Sequence, residues 1–430
     1  MKIFYHILSN SLFVTVTNFF VWFAFIFWMY LETRSVLATS ISGGVFMLAM
    51  SFSSFWFGSI VDHHKKKRVM ATSTSITFAF FIAAFLFYAS TPAENFREMT
   101  SPSLWILAAL VLSGMLASNL RGIALSTIVT ITVPKEERDR ANGMVGMVMG
   151  FSSMGAGLSS GFALAYAGLY YVLLIGVVLT ALALIHLYFL EIPEANIVST
   201  GAGAGKIDLR GTIDLMRTMP GLFALIFFTT FNNFLGGVFM SLMDPYGLTL
   251  VNVQTWSVLW GVLSAGFILG GLYIAKKGLG PDPLRTLFMI NIVIWITTIL
   301  FPIRHSIIIL AIGIFIWVCL APFIEAAEHT VIQKIVPLER QGRVFGFSQS
   351  VEVAASPLAA FLIGPIAEFI FIPFMTTGAG VSLIGGWFGT GPGRGMALVF
   401  IMAGFAGLAV TLISMRSPAY QLLAKLYREA

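Results

Sequence analysis

Of the 430 residues, 58% belong to the hydrophobic set, 41 more are glycine and only 10% are charged, against about 25% charged residues in an ordinary soluble domain. A soluble globule of this make-up could not cover its own surface, and the mean hydropathy of +0.90 fits a chain that lies mostly in hydrocarbon. The net charge of +6 belongs to loops between apolar spans, where basic residues report topology, so nucleic acid is excluded as a partner.

In chain order, apolar stretches bounded by charge, Pro or Gly predict twelve transmembrane helices near 10–31, 37–60, 69–90, 104–130, 143–166, 168–190, 221–243, 256–275, 286–303, 306–330, 345–372 and 395–415. The first follows Lys2 and His6 without a small-residue cleavage site, so it reads as a retained helix. The single cysteine, Cys319, lies inside an apolar run and reads as a packing residue. The fold class is therefore all-α integral membrane, twelve helices in two six-helix bundles.

Counting Lys and Arg by side gives orientation. One side collects 20, from Lys2 and the run Lys65 to Arg68 through to Arg416, Lys425 and Arg428; the other holds Arg34, Arg97, Arg304 and Arg394; Arg121 falls within a span. Because translocating positive charge is unfavourable, both termini are expected in the cytoplasm, with the chain multi-pass in the plasma membrane, the inner membrane of a bacterium.

The sixth span is followed by the longest connection, with the low-complexity run Gly201 to Gly205, as a flexible linker would have. Past it, Leu209, Ile213 and Met216 at helical spacing predict a short surface helix. Expected domains are 1–190, a linker at 191–220, and 221–430. The halves share a local repeat: a shift of 203 residues pairs Val133 with Val336, Pro134 with Pro337, Glu136 with Glu339, Arg140 with Arg343 and Gly143 with Gly346. A shift of six spans preserves sidedness, so the halves read as parallel repeats about an axis along the membrane normal.

An ionisable group in hydrocarbon costs at least about 2.5–3.5 kcal/mol and needs a partner or a water-filled cavity. Arg121 lies deep in span 4; Glu325, Glu328 and His329 lie in span 10; Glu352 and Glu368 lie in span 11; Thr15 and Asn18 belong to span 1, and Asn232 and Asn233 to span 7. Spaced i, i+3 and i+4, Glu325, Glu328 and His329 share one helix face. At about 1.5 Å per residue Glu325 is roughly 18 Å from Pro337 and Glu352 roughly 13 Å from Arg343, which predicts that the two acids face each other at similar depth as proton carriers. Two readings stand for Glu328 and His329, a solvated inner end of span 10 or membership of that cluster. Arg121 either sets the pKa of a nearby Glu or is structural. The three asparagines either orient substrate or bond helix to helix.

No metal set appears, since Glu325-x-x-Glu328-His329 lacks a second His. No P-loop is present, so ATP does not drive this chain, and no nucleophile–base–acid set marks an enzyme.

The connection after span 2 reads Gly58-Ser-Ile-Val-Asp62-His-His-Lys-Lys-Lys67-Arg68. It resembles the signature loop of the major facilitator superfamily, and with twelve spans and a central loop the resemblance covers nearly the whole chain. Arg121 with Val133-Pro134-x-Glu136 and Arg140-Ala-Asn-Gly143, and the outer loop with Gly389-x-Gly391-Pro-Gly-Arg394-Gly, look like the exporter branch that includes enterobactin and macrolide efflux proteins. The resemblance implies a cavity lined by spans 1, 4, 7 and 10 that opens alternately to each side. It also implies a gating loop formed by Gly58, Asp62, Lys67 and Arg68, with Asp62 at the amino end of span 11, where free N–H groups favour a carboxylate. Departures are Ala275 in place of the second loop Asp, the lack of a Gly-Pro step in span 5 where Gly364-Pro365 falls in span 11, and Ala124 and Leu125 after Arg121.

The function expected is secondary active transport, a proton-coupled efflux of small amphiphilic molecules by alternating access. The alternative is a proton-coupled symporter or uniporter importing a small nutrient. The partners are then substrate, protons and lipid; no cofactor is implied, and the chain is expected to be a monomer.

Overall fold

The computed structural model describes residues 2–33, 36–192, 194 and 209–429. Arg34 and the run Gly201 to Gly205, named above, lie outside the described residues. Within them the regular structure is helical, as expected where backbone groups in hydrocarbon must be satisfied inside the segment. Among the described residues eleven helices are long and apolar enough to cross a membrane. The remaining expected span is the Gly-rich first limb of a 52-residue helix, Arg138–Phe189, which breaks at Gly168 (φ 78°). Left-handed backbone is open to glycine at no steric cost, so the break between spans 5 and 6 falls there.

The chain divides into two compact units, Met1–Leu209 with Val336–Ser350, and Arg210–Ile335 with Val351–Ala430. The difference from the domains expected from sequence is the segment Val336–Ser350, which groups with the first unit through a close glycine-mediated crossing described below.

The first unit contains α1 (Lys2–Thr33), α2 (Val36–His63), α3 (Lys66–Ser90), α4 (Pro102–Thr132) and α5 (Arg138–Phe189). α5 packs on α1 and α3, and α4 on α2 and α3. Its core is aromatic: Trp28 meets Tyr88 and Phe96 edge-on, each at 5.5 Å. Small residues let the helices approach, since a Cβ at Gly114 would lie 2.9 Å from the Phe81 ring and one at Gly176 2.7 Å from Val21 Cγ2. Hydroxyls tie helices directly: Ser73 donates to Ala117 O and Thr77 to Gly114 O, both at 2.8 Å.

The second unit opens with α6 (Leu209–Thr218), the short amphipathic helix expected; Thr212 and Met216 are buried while Asp214 and Arg217 pair in solvent at 3.6 Å. Then come α7 (Leu222–Leu248), α8 (Val253–Leu263), α9 (Ala265–Lys277), α10 (Pro283–Leu300), α11 (Ile307–Ile335) and α12 (Leu338–Ile366), whose start through Ser350 lies in the first unit. Span 8 is two helices meeting at Ser264. Span 11 is longer than expected, running Leu338–Thr376. It loosens into a π-helical turn, Ala367–Phe371, directly after Pro365, whose ring cannot donate to the ladder. α13 (Ile372–Thr376), α14 (Ala379–Leu383) and α15 (Gly385–Phe388) form the Gly-rich loop, followed by α16 (Pro392–Arg416) and α17 (Pro418–Glu429).

This unit's core joins Tyr246, Phe301, Trp295 and Phe400, with Phe400 5.3 Å from Phe239 and Phe301. Cys319 packs where α11 crosses α9, its Sγ 3.0 Å from where a Gly266 Cβ would sit. α17 lays Leu423 and Ala424 into a second cluster with Leu225, Phe288 and Val331, and Tyr427 carries the Lys334 ammonium 4.1 Å above its ring.

Candidate functional site

Three groupings of polar side chains lie where composition alone would place lipid-soluble ones. The first is the crossing of α2 with the start of α12, inside the first unit. A Cβ at Gly346 would come within 2.9 Å of Gly58 Cα, and one at Gly342 within 2.6 Å of Gly58 O, so these glycines let backbone meet backbone. Asp62, fully buried, accepts the Gly342 N–H at 2.6 Å on one oxygen and the Arg343 N–H at 2.9 Å on the other. Arg343 Nε stands 3.7 Å from the same carboxylate, and its Nη2 is 2.9 Å from His63 Nε2. A buried carboxylate held by two amides and a guanidinium has the partners its desolvation requires.

The basic run beyond Asp62 divides by role. Lys66, which sequence reasoning did not single out, is the buried one: its ammonium covers Val61 O (2.8 Å) and His64 O (3.3 Å) at the carboxyl end of α2, where a cation is favoured. Lys67 donates to Tyr188 O at 3.0 Å, and Arg68 is exposed. The Glu194 carboxylate takes the Lys66 and Lys67 N–H groups at 2.5 and 2.6 Å, capping α3 from a residue far along the chain.

The repeat seen in sequence has a bonding counterpart. Arg138 Nε donates to Val133 O at 3.4 Å, and Gln341, at the matching position 203 residues on, donates to Val336 O at 2.9 Å. Burial draws the Arg138 guanidinium below its ordinary value, and nearby Glu136 opposes that.

The second grouping surrounds Arg121, 3% exposed and held by neutral groups: it donates to Asn10 Oδ1, to Ser11 Oγ at 3.4 Å and to Thr74 Oγ1 at 3.2 Å, and its Nε has no partner. Glu325, Glu328, His329 and Glu352 belong to the other unit. Asn18 donates to Ser118 Oγ; Thr15, one turn away, is half-buried. Sequence reasoning missed an adjoining chain in which Gln349 donates to Asn119 Oδ1 at 3.1 Å and Asn119 to Ser54 Oγ at 2.9 Å. Single Asn, Gln and Ser residues carry no spacing signal that could have found it.

The third lies in the second unit. Thr229 donates to Glu352 Oε1 at 2.7 Å, and Glu328 Oε1 is 3.5 Å from the same hydroxyl. The acids gathered there are thus Glu328 and Glu352, not Glu325 and Glu352: Glu328 is 6% exposed while Glu325 is exposed. Counting residues from the loop measures height along a helix but not burial, and at similar height Glu325 is exposed where Glu328 is not. His329 is half-buried beside Glu328. Asn232 is committed to structure, accepting Trp295 Nε1 at 2.9 Å and donating to Phe228 O at 2.7 Å. Asn233 is exposed and donates to Thr229 O at 3.1 Å. Among the described residues no group of three or more His, Cys, Asp or Glu could hold a metal ion.

The family model described as "Major Facilitator Superfamily" matches residues 7–360. Among curated proteins no significant match was found. The fold is similar to that of a bacterial homologue of the iron transporter ferroportin in an outward-facing state, with TM-score 0.70, 14% identity, and 97% of this chain and 100% of that one covered. The same homologue with soaked iron gives a TM-score of 0.67 at 14% identity and the same coverage. The human organic anion transporter MFSD10 (TETRAN) gives 0.63 at 13% identity, covering 94% of this chain and 99% of that one.

Proposed function

Because the chain belongs to the major facilitator superfamily, a family of secondary transporters and not of enzymes, we propose that it is a proton-coupled exporter of small amphiphilic molecules, related in mechanism to the enterobactin and macrolide efflux branch. The observation that carries the reading is the pair Glu328 and Glu352 about the Thr229 hydroxyl, among helices that carry no nucleotide motif. These two carboxylates, brought to one hydroxyl, are the groups at which the gradient would exchange protons. In the other unit Arg121 is a buried guanidinium, and Asp62 with Arg343 forms a gating contact at the head of α12. Both termini are assigned to the cytoplasm and the chain to a bacterial inner membrane, on the 20 to four division of Lys and Arg. A monomer suffices for this mechanism.

Purified protein in vesicles, with an imposed pH gradient and a panel of fluorescent amphiphilic dyes, tests this. Dye movement against the proton gradient is expected in wild type, and it should fall at least tenfold in Glu328→Gln or Glu352→Gln. Movement that ignores the gradient in all three proteins removes the proton claim. Movement down the proton gradient with the dye replaces export by uptake.

A further inference from the structure

Asn10 on α1 makes three hydrogen bonds whose polarity is fixed by its partners. Its Nδ2 donates to the Ala183 carbonyl at 2.8 Å, and a carbonyl only accepts. Its Oδ1 accepts from the Arg121 guanidinium, which only donates. The amide therefore has one orientation: turning it over would set oxygen against oxygen at Ala183 and N–H against N–H at Arg121. The remaining Nδ2 hydrogen points at His186 Nδ1, 3.0 Å away on the second limb of α5. That ring nitrogen must accept, so His186 in this arrangement is neutral with its hydrogen on Nε2.

We propose that His186 is a proton-binding site coupled through Asn10 to Arg121, a role that rests on the proton-coupled reading above and extends it to residues outside the acid pair. A proton taken from water onto Nδ1 fills the lone pair that Asn10 Nδ2 now occupies and leaves a ring with two N–H donors. The contact then becomes donor against donor. Either the ring swings away, or the amide turns to offer Oδ1 to the imidazolium, withdrawing that oxygen from Arg121. In the second case the guanidinium keeps Ser11 and Thr74 and loses its best acceptor. The geometry suits a relay from water inward: Arg121 is roughly 16 Å from the carboxyl end of α4, whereas His186 is within about 6 Å of the end of α5 and half-buried. The charged and titratable groups at this end of the elements packed against that limb include Tyr5 and His6 on α1, Lys66, Lys67 and Arg68 on α3, and Arg121 deeper on α4, with Glu191 and Glu194 following α5. The hydrogen-bond partner of the ring is Asn10, so a proton arriving on Nδ1 is felt there first.

The test uses full-length protein in lipid nanodiscs with 15N-labelled histidine rings and arginine side chains, read by solid-state NMR from pH 8 to pH 5. His186→Gln assigns the ring among the six histidines and also supplies an amide oxygen that accepts from Asn10 at every pH. The expected result is an unprotonated, hydrogen-bonded His186 Nδ1 at pH 8, with Arg121 side-chain signals that shift together with His186 protonation and stay fixed in His186→Gln. Asn10→Asp, which offers the ring an oxygen in place of Nδ2–H, should hold His186 protonated to higher pH than in wild type. A ring bearing its proton on Nδ1 at pH 8, or Arg121 signals indifferent to His186 titration, overturns the proposal. The spectra report the linkage alone and the vesicle assay reports gradient coupling alone, so failure of one is distinguishable from failure of the other.

Discussion

Arg394 shows how one side chain can secure a glycine-rich stretch. It is 3% exposed, donates to Pro302 O and Ile303 O at 2.8 Å each, and lies 3.6 Å over the Phe388 ring. It thus ties the short helices before α16 to the end of α10. Hydrogen bonds from a charged group contribute about 1.5–3 kcal/mol each, and stacking on an aromatic face adds to them. Arg394→Lys retains the charge but not the fork, and is expected to lose about 2 kcal/mol of stability, with Arg394→Met losing more; thermal unfolding in detergent measures both. From sequence Arg394 was a count on the less charged side and part of a glycine motif, because its partners are carbonyls that any residue carries. The same reason hid the commitments of Asn232, whose indole and carbonyl partners lie on α10 and one turn back. Residue type announces that a polar group is in the membrane; it does not announce which way the group faces.

At the scale of the element, the crossing of α2 with α12 joins two statements written far apart in the chain. Gly58, three residues and Asp62 place a gap and an acid on one face, and Gly342 and Gly346 repeat the spacing on the other helix. Overpacking a close contact costs about 1–3 kcal/mol, so Gly58→Leu is expected to lower the unfolding midpoint by several degrees and to separate these helices. A disulfide engineered between Ser51 and Ser350, whose side chain and backbone now meet at 2.7 Å, should form in wild-type background and fail with Gly58→Leu. Spans and their breaks were legible because hydropathy and glycine act locally: the Gly168 bend falls between the fifth and sixth spans read from sequence, and Leu209–Thr218 is the short amphipathic helix read from its periodicity. α17 was not legible. Its apolar residue Leu423 packs where Gly221, at φ 84°, leaves room for it, a tertiary fact with no local signature.

For the whole molecule, sidedness is the property on which transport across a membrane depends. Twenty basic residues on one side against four on the other predict that Glu136 and Gln421 share a compartment opposite to Glu98 and His305; all four are exposed. In a Cys319→Ser background, single cysteines at Glu98 and His305 are expected to react with an impermeant thiol reagent in intact cells, and those at Glu136 and Gln421 only after permeabilisation. The reverse pattern would invert the assignment of every loop. Cys319→Ser suits this purpose because a hydroxyl is no larger than the sulfur it replaces where α11 packs on Gly266 of α9.

The carbonyl of Val133 and that of Val336 are each covered by a side chain five positions later, a guanidinium in one copy and a primary amide in the other. What the two places have in common is therefore the shielding of an oxygen at a helix end, by a charged group in the first and a neutral one in the second. The likeness of the two loops lies less in which side chains recur than in which main-chain oxygen is kept under cover.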